Sequence, residues 1–221
     1  MHLRGDERLH AGPVVVTVSM RRMSAGHGYR YLLNSVAQAD AGRAGPMAYY
    51  SSPGTPPGRW VGSGVAALAG GELAVGDRVS EEQLGLLFGQ GRDPVSGEAL
   101  GRAYPQSAAD TARTAVAGYD LTFSVPKSVS VLWALAPAEV RHQIRQVHHA
   151  AIADVLGLFE AQVAATRVGS SGADAAVAQV DVGGVAGVAF DRWDSRSGDP
   201  QLHTHVVISN KVRTSSDGLW R

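Results

Sequence analysis

The chain of 221 residues contains no cysteine, which excludes disulfide bonds, a thiol nucleophile and a cysteine-ligated zinc cluster. It also has no apolar run long enough to span a bilayer, and its first ten residues are charged rather than signal-like. Basic and acidic side chains cancel at 20 each, so the positive excess typical of nucleic-acid-binding domains is missing. Lysine occurs only at Lys127 and Lys211. Any basic groove must therefore be local and built mainly of arginine.

The sequence does contain enough apolar material for one medium domain. Hydrophobic residues make up 44% and charged residues 18% of the chain, which excludes wholesale disorder. Residues 1–12 are polar and show no periodicity, so we expect a disordered lead-in there and one domain over 13–221. The chain stops directly after a turn signal at Asp217 and Gly218, and we therefore expect that domain to be truncated at its C-terminus.

Local patterns predict both strands and helices, which is typical of an α+β fold. Strands are expected at 14–18, 119–124 and 201–209, with a further hairpin over 177–190 that turns at Gly183 and Gly184. Helices are expected at 24–40, 80–89, 126–135 and 138–165, and the last of these has apolar residues at helical spacing. Ser80 is the expected N-cap of the second helix. The stretches 41–63 and 90–115, with many turn residues, predict loops.

The sharpest local signal is the pair His203 and His205. Histidines two residues apart on a strand project from the same face, so their imidazoles can converge on one divalent metal ion. Two imidazoles on a half-exposed sheet face are an equally good interpretation. A cupin site is disfavoured because no glutamate follows. A metallo-β-lactamase-like site is disfavoured because apolar residues 206–208 follow where an Asp-His is needed.

Tyrosine is the other candidate participant, since a metal site that cleaves a phosphodiester also needs a nucleophile. A phenol has a pKa of about 10 and therefore needs an adjacent base or cation to attack. The candidates are Tyr29 and Tyr31 in the N-terminal helix, and Tyr49 and Tyr50 in the loop after it. Each could equally be an ordinary core or surface aromatic. Asp120 stands out because an acid inside an apolar strand needs a cation or a proton as its partner, unless it simply faces outward.

Two longer motifs surround these residues and follow one another in a fixed order along the chain. The tyrosine cluster is followed by GYDLTFSVPKSVSVLWAL, a long helix and DSRSGDPQLHTHVVISNKV. This order resembles the relaxase domain of MobF-type (TrwC/TraI-like) conjugative relaxases, which belong to the HUH endonuclease superfamily. The similarity covers nearly the whole chain from Val14 onward. It implies a palm-like α+β fold, with an antiparallel sheet of about five strands, the histidine pair in its centre and helices on one face. It also implies a bacterial, cytoplasmic protein.

The resemblance implies a metal-dependent tyrosine endonuclease and transesterase. Such relaxases nick one DNA strand at an origin of transfer through a covalent 5′-phosphotyrosine, and so initiate mobilisation of a plasmid or element. Tyr29 matches the first nucleophile, with Tyr31 close behind, and Tyr49 and Tyr50 match a second pair. Asp120 would orient the site or take the tyrosine's proton. The implied partners are single-stranded and hairpin DNA at an origin of transfer and other relaxosome proteins, with no membrane and no small-molecule substrate.

The metal site departs from the pattern of the family. Relaxases of this type hold a divalent cation, here Mg²⁺, Mn²⁺ or Zn²⁺, on three histidines, and His203 and His205 match the second and third. Arg192 stands in the first position, where a guanidinium has no lone pair to offer. Asp194 could supply a third ligand from the same strand face, a helix histidine could do so, or Arg192 could itself neutralise charge. The helix histidines are His142, His148 and His149.

The sequence predicts the DNA-contacting residues less clearly than the catalytic ones. The candidate phosphate contacts are Lys127, Arg192, Arg196 and Lys211, and Trp60 or Trp193 could stack on bases. Two other functions remain open, and Arg192 suggests the first of them. One is a catalytically impaired relaxase derivative that binds single-stranded DNA. The other is a rolling-circle replication initiator, which shares the chemistry but normally lacks this tyrosine clustering.

Overall fold

The structure, a computed structural model, describes residues 16–33, 56–104, 115–169, 177–195 and 197–221. Its strands are β1 (Thr17–Ser24), β2 (Arg59–Val61), β3 (Val116–Ser124), β4 (Ala165–Val168), β5 (Ala178–Asp181), β6 (Gly187–Asp194) and β7 (Pro200–Ser209). Five of them form an antiparallel sheet in the order β1-β3-β7-β6-β2, and β4 pairs with β5 in a separate sheet. The predictions for 1–12, Tyr49, Tyr50 and Arg196 lie outside the described residues.

The central strand of the five is β7, which carries the histidine pair. Its register places His205 opposite Thr122 of β3 and opposite Phe190 of β6. Directly opposed residues of an antiparallel sheet share a face, so these three side chains point the same way. The predicted five-stranded antiparallel sheet with the histidine pair at its centre is therefore confirmed.

Three helices pack around the sheet: α1 (Glu81–Leu84), α2 (Lys127–Leu135) and α3 (Ala138–Gln162). Shorter helical segments cover 30–33, Ser63–Gly71 and Gly85–Gln90. Ser80 caps α1 as predicted, because its side chain accepts a hydrogen bond from the Gln83 amide at 3.1 Å and its own amide donates to the Gln83 side chain at 2.9 Å. No helix in the described part of the chain is long and apolar enough to cross a membrane.

Both faces of the sheet are covered, each by different structural elements. On one face α3 packs Ile152 and Leu156 against residues of β3 and β7 such as Phe123 and Val206. On the other face the N-terminal segment and the helical segments of 63–90 build the larger apolar cluster. That cluster contains Leu32, Trp60, Leu68, Leu87, Phe88, Phe190 and Val207. The prediction of long helices on one face is right, and the histidine pair lies on the opposite face, beside the N-terminal segment.

The predicted helix at 24–40 begins later than expected. Ser24 ends β1, a turn follows over 25–29, and helical geometry is described only at 30–33. Gly28 explains the tight turn, because a Cβ there would lie 2.1 Å from the Ser24 carbonyl oxygen. The first strand likewise lies later than predicted, at Thr17–Ser24 instead of 14–18. The chain therefore leaves β1 and folds back over the face that holds the histidines.

The predicted hairpin over 177–190 is wrong. Both strands exist, but β5 pairs with β4, whereas β6 pairs with β2 and β7. Gly184 has a φ of +114°, and a Cβ there would lie 2.0 Å from the Ser63 hydroxyl and 2.8 Å from the Gly64 amide nitrogen. The glycine pair therefore allows close approach to the 63–71 segment and does not turn a hairpin. In addition, β2 falls in a stretch predicted as loop.

A buried polar network joins α3 to the sheet on the face away from His203. His148 Nε2 lies 3.0 Å from the Thr204 hydroxyl, which donates to Asp191 at 2.7 Å. Asp191 also accepts from Arg59 at 2.9 Å and lies 3.1 Å from His149 Nε2. Burial, followed by the charge of His149, lowers the pKa of His148 to about 4. The helix histidines of this network are therefore structural, and they face away from the histidine pair.

We expect His148 to make the fold sensitive to acid. Its folded pKa of about 4 lies below the unfolded value of 6.5, so the unfolded chain takes up the proton first as the pH falls. The contribution of His148 to the free energy of unfolding is therefore fully present above pH 6.5. It is lost progressively towards pH 4, by up to about 3 kcal/mol. Urea unfolding of His148→Gln at pH 7, 5.5 and 4.5 should show a shallower loss of free energy than the native chain. His142→Gln, at an exposed site on α3, is the control that should keep the native slope, and equal slopes in all three proteins would refute the assignment.

Candidate active site

Tyr31, Asp120 and His205 form one cluster on the face covered by the N-terminal segment. The Tyr31 hydroxyl donates to Asp120 Oδ2, and both carboxylate oxygens lie 3.0 Å from His205 Nδ1. The rings of Tyr31 and His205 meet edge to face, with centroids 6.1 Å apart. A phenol from the N-terminal segment and an imidazole from β7 thus share a single carboxylate from β3.

Strand register places these groups together. Asp120 pairs with Arg21 of β1, and Thr122, two residues further along β3, pairs with His205 of β7. All four side chains therefore lie on one face. The Thr122 hydroxyl lies 3.2 Å from His205 Nδ1. The turn after β1 then carries Tyr31 back to Asp120 and His205.

The Tyr31 phenol is held in its protonated form. Burial of the hydroxyl raises its pKa, and the hydrogen bond to Asp120 and the negative charge of that carboxylate raise it further. The charges of Arg21 and Arg192 act in the opposite direction. At neutral pH the phenol can therefore become a nucleophile only by passing its proton to a base in contact with it, and Asp120 is in contact.

Each of the two histidines makes its hydrogen bond through Nδ1. His203 Nδ1 lies 2.8 Å from the Gln201 carbonyl oxygen and donates to it, which leaves the lone pair on Nε2. His205 donates from Nδ1 to Asp120. Burial lowers the pKa of His203, the hydrogen bond to Gln201 partly opposes this, and the charge of Arg192 lowers the pKa further, so this imidazole stays neutral at pH 7. The ring centroids of the pair lie 5.3 Å apart.

Arg192 lies directly across from His203 in the β6–β7 register. Its side chain is buried, with Nη1 donating to the Asp191 carbonyl at 2.9 Å and Nη2 donating to the Leu32 carbonyl. Burial lowers its pKa, but the neighbouring carboxylates of Asp191 and Asp194 oppose this, and a guanidinium stays charged in any case. A fixed cation thus lies beside the histidine pair and is tied to Leu32, the residue that follows Tyr31 in the chain.

A third metal ligand is missing from this arrangement. Among the described residues no group of three histidine, aspartate or glutamate side chains could hold a metal ion. Asp194 is exposed and lies beyond a register shift that pairs it with Pro200. Two imidazoles beside a fixed guanidinium do not fit the three-ligand cation site that the resemblance implies, because the third position offers a positive charge where a lone pair is needed.

Tyr29 lies away from this cluster. It is 7% exposed and belongs to the apolar cluster, and a Cβ on Gly85 would lie 3.1 Å from its hydroxyl. Its ring therefore packs against the Gly85–Gln90 segment instead of facing Asp120. Of the two tyrosines, Tyr31 is the one that contacts a base, so the order of preference expected from sequence is reversed in our proposal below.

The other side chains that were predicted to contact DNA differ in their exposure to solvent. Lys211 is buried, donates to the Arg102 carbonyl, and has its ammonium 4.7 Å from the Tyr104 ring centroid. Trp60 is fully buried, and Trp193 stacks on Trp133 with centroids 4.9 Å apart. These residues hold the fold together. Lys127 is exposed and donates to the Pro200 carbonyl at 3.0 Å.

Two residues of the cluster were missed in the sequence. Thr122 follows Asp120 by two positions, and the period of two along a strand could have indicated that it shares the face. Arg21 has no comparable signal, because its place beside Asp120 depends on the register of β1 against β3, which lie about a hundred residues apart.

Comparison with known proteins places this cluster in a family context. The family model described as TrwC relaxase matches residues 25–221. The multifunctional conjugation protein TraI of Escherichia coli is 38% identical over 104 residues, which are 47% of this chain and 5% of that protein. The chain thus spans only a small part of its curated relative.

Solved structures of the conjugative relaxase TrwC bound to oriT DNA have the same fold. The metal-free complex is 29% identical with a TM-score of 0.62, over 93% of this chain and 60% of that one. The copper-bound complex is 28% identical with a TM-score of 0.61, over 93% and 61%. A complex with a 27-mer DNA comprising the recognition hairpin and the cleavage site is also 28% identical, with a TM-score of 0.61 over 93% and 59%.

We expect Asp120→Asn to make Tyr31 more reactive towards tetranitromethane, which attacks the phenolate. Removal of the carboxylate charge lowers the pKa of Tyr31, and each unit gives about tenfold more phenolate at pH 8. Nitration is measured by peptide mass spectrometry, and the buried Tyr29 is the internal control. An unchanged rate at Tyr31 would show that Asp120 does not govern this phenol.

Proposed function

Since the chain belongs to the TrwC relaxase family, we propose that it nicks one DNA strand at an origin of transfer and remains joined to the 5′ end through a tyrosine. The observation that carries the proposal is the hydrogen bond from the Tyr31 hydroxyl to Asp120, which joins a nucleophile to a base. Single-stranded or hairpin DNA is the proposed substrate, because the similar TrwC complexes contain oriT DNA.

Tyr31 attacks the scissile phosphorus through its phenolic oxygen. The proton moves to Asp120, the new bond joins the Tyr31 oxygen to phosphorus, and the bond from phosphorus to the 3′ oxygen breaks. The 3′ oxygen leaves as a hydroxyl after taking a proton from water. One phosphodiester is exchanged for another, so the step is close to balanced in energy and can run backwards, which is what strand transfer requires.

The raised pKa of Tyr31 gives Asp120 its role. A phenol that stays protonated at neutral pH attacks only when a positioned base removes the proton during the attack, and general-base catalysis of this kind contributes about 10²–10⁴-fold. His205 holds the Asp120 carboxylate through Nδ1, and the Thr122 hydroxyl lies 3.2 Å from that same nitrogen. No step is assigned to a metal, because the residues that the structure describes supply no third ligand beside the histidine pair.

The match to the TrwC relaxase model over 25–221 favours a relaxase over a rolling-circle initiator. The impaired, DNA-binding alternative depends on Arg192 and makes a different prediction, namely binding of origin DNA without any covalent product. The same assay therefore separates the two functions.

We expect Tyr31→Phe to abolish covalent adduct formation, because it removes the attacking oxygen, and Tyr29→Phe to preserve it. The two variants are matched, since each removes one hydroxyl and keeps the ring. The assay incubates the protein with 3′-labelled single-stranded oligonucleotides that tile the DNA flanking the gene, and detects label that stays with the protein in SDS gels. An adduct in Tyr31→Phe but none in Tyr29→Phe would overturn the assignment. Binding of one oligonucleotide without any adduct in the native chain would support the impaired alternative.

A further inference from the structure

We propose that Arg192 is a catalytic residue that binds the non-bridging oxygens of the scissile phosphate and supplies the positive charge that a metal ion would otherwise supply. This inference rests on the proposed function, because it concerns the phosphate that Tyr31 attacks. It assigns to this chain a nicking reaction that needs no divalent cation.

The reaction requires a cation at this place. As Tyr31 attacks, negative charge builds up on the non-bridging oxygens of the phosphate, and a preorganised positive charge beside them is a large source of rate enhancement. The described residues supply two arginines whose charges reach the Tyr31 phenol, Arg21 and Arg192. Arg21 lies on β1, the edge strand, and is exposed, whereas Arg192 is buried on β6 beside the central strand.

Arg192 is fixed in a position that suits this role. Its hydrogen bond to the Leu32 carbonyl ties it to the residue that follows Tyr31, and its register partner is His203. Its guanidinium carbon lies 5.7 Å from the centroid of the Phe190 ring, which supports the plane from one side. A side chain whose two terminal nitrogens are already hydrogen-bonded loses little conformational entropy when a ligand binds.

Arg192 also keeps donors for a ligand. A guanidinium has five N–H groups, and the two backbone carbonyls take one from Nη1 and one from Nη2. The remaining N–H groups match the geometry of phosphate oxygens, which arginine binds in a bidentate manner. Burial makes such contacts stronger, since less water competes for the charge.

The charge of Arg192 explains the incomplete metal site. A cation that cannot leave repels a divalent ion from the two neighbouring imidazoles, so a metal and Arg192 are alternatives at this position. Replacing Arg192 with histidine would remove the repulsion and add the missing lone pair at the residue directly opposite His203.

Chelation and a neutral phosphate test the proposal together. We expect the native chain to form its adduct in excess EDTA, and Arg192→Gln to form it roughly a hundredfold to a thousandfold more slowly on an ordinary phosphodiester. A methylphosphonate at the scissile position lacks the anionic oxygen. On an oligonucleotide that carries it, Arg192→Gln should form the adduct less than tenfold more slowly than the native chain does. Arg145→Gln is the matched control, because this arginine also lies over an aromatic ring, 5.9 Å from the Trp193 centroid, on α3.

Metal binding gives a readout that does not depend on nicking. We expect Mn²⁺, followed by electron paramagnetic resonance, to bind Arg192→His and not the native chain. Tight binding of Mn²⁺ to the native chain, or an adduct that EDTA abolishes, would overturn the inference and leave the proposed function intact. If Arg192→Gln slows adduct formation equally on both phosphates, Arg192 only supports the Tyr31 segment, and the inference is also overturned. No adduct under any condition would overturn the proposed function together with this inference.

Discussion

The carboxylate of Asp120 is the contact on which the site depends. A buried carboxylate is costly unless donors surround it, and here the donors are the Tyr31 hydroxyl and the His205 ring. The hydrogen bonds that make its burial tolerable also hold the phenol against a base. Because one donor comes from the N-terminal segment and the other from the central strand, the site forms only when the segment after β1 has folded onto the sheet.

Local sequence patterns were sufficient for several of the elements and insufficient for their connections. The apolar spacing of α3, the Ser80 cap and the strand that carries the histidine pair depend on local patterns, and each was predicted correctly. The choice between Tyr29 and Tyr31 is not local, because Tyr29 ends the turn over 25–29 and Tyr31 lies in the helical segment that follows it. Only the path of the chain after β1 decides which of the two faces Asp120. The supposed hairpin failed for a related reason, since Gly184 serves contact with the 63–71 segment.

The histidine pair shows how far a motif can be trusted. That His203 and His205 share a face follows from the period of a strand, and the structure has them so. What they face depends on cross-strand pairing, and β6 presents Arg192. A site with the same two imidazoles can therefore take its positive charge from a protein side chain instead of an ion, and the pair alone cannot distinguish the two. Distant register, which also brings Arg21 beside Asp120, is the information that the sequence motif lacks.

The most direct measurement of the central claim is to identify the residue that carries the DNA. The covalent adduct is digested with nuclease and protease, and the peptide with the added nucleotide is sequenced by tandem mass spectrometry. The account predicts the nucleotide on Tyr31, the phenol in contact with Asp120. A nucleotide on Tyr29, Tyr49 or Tyr50 in the first cleavage product would contradict it.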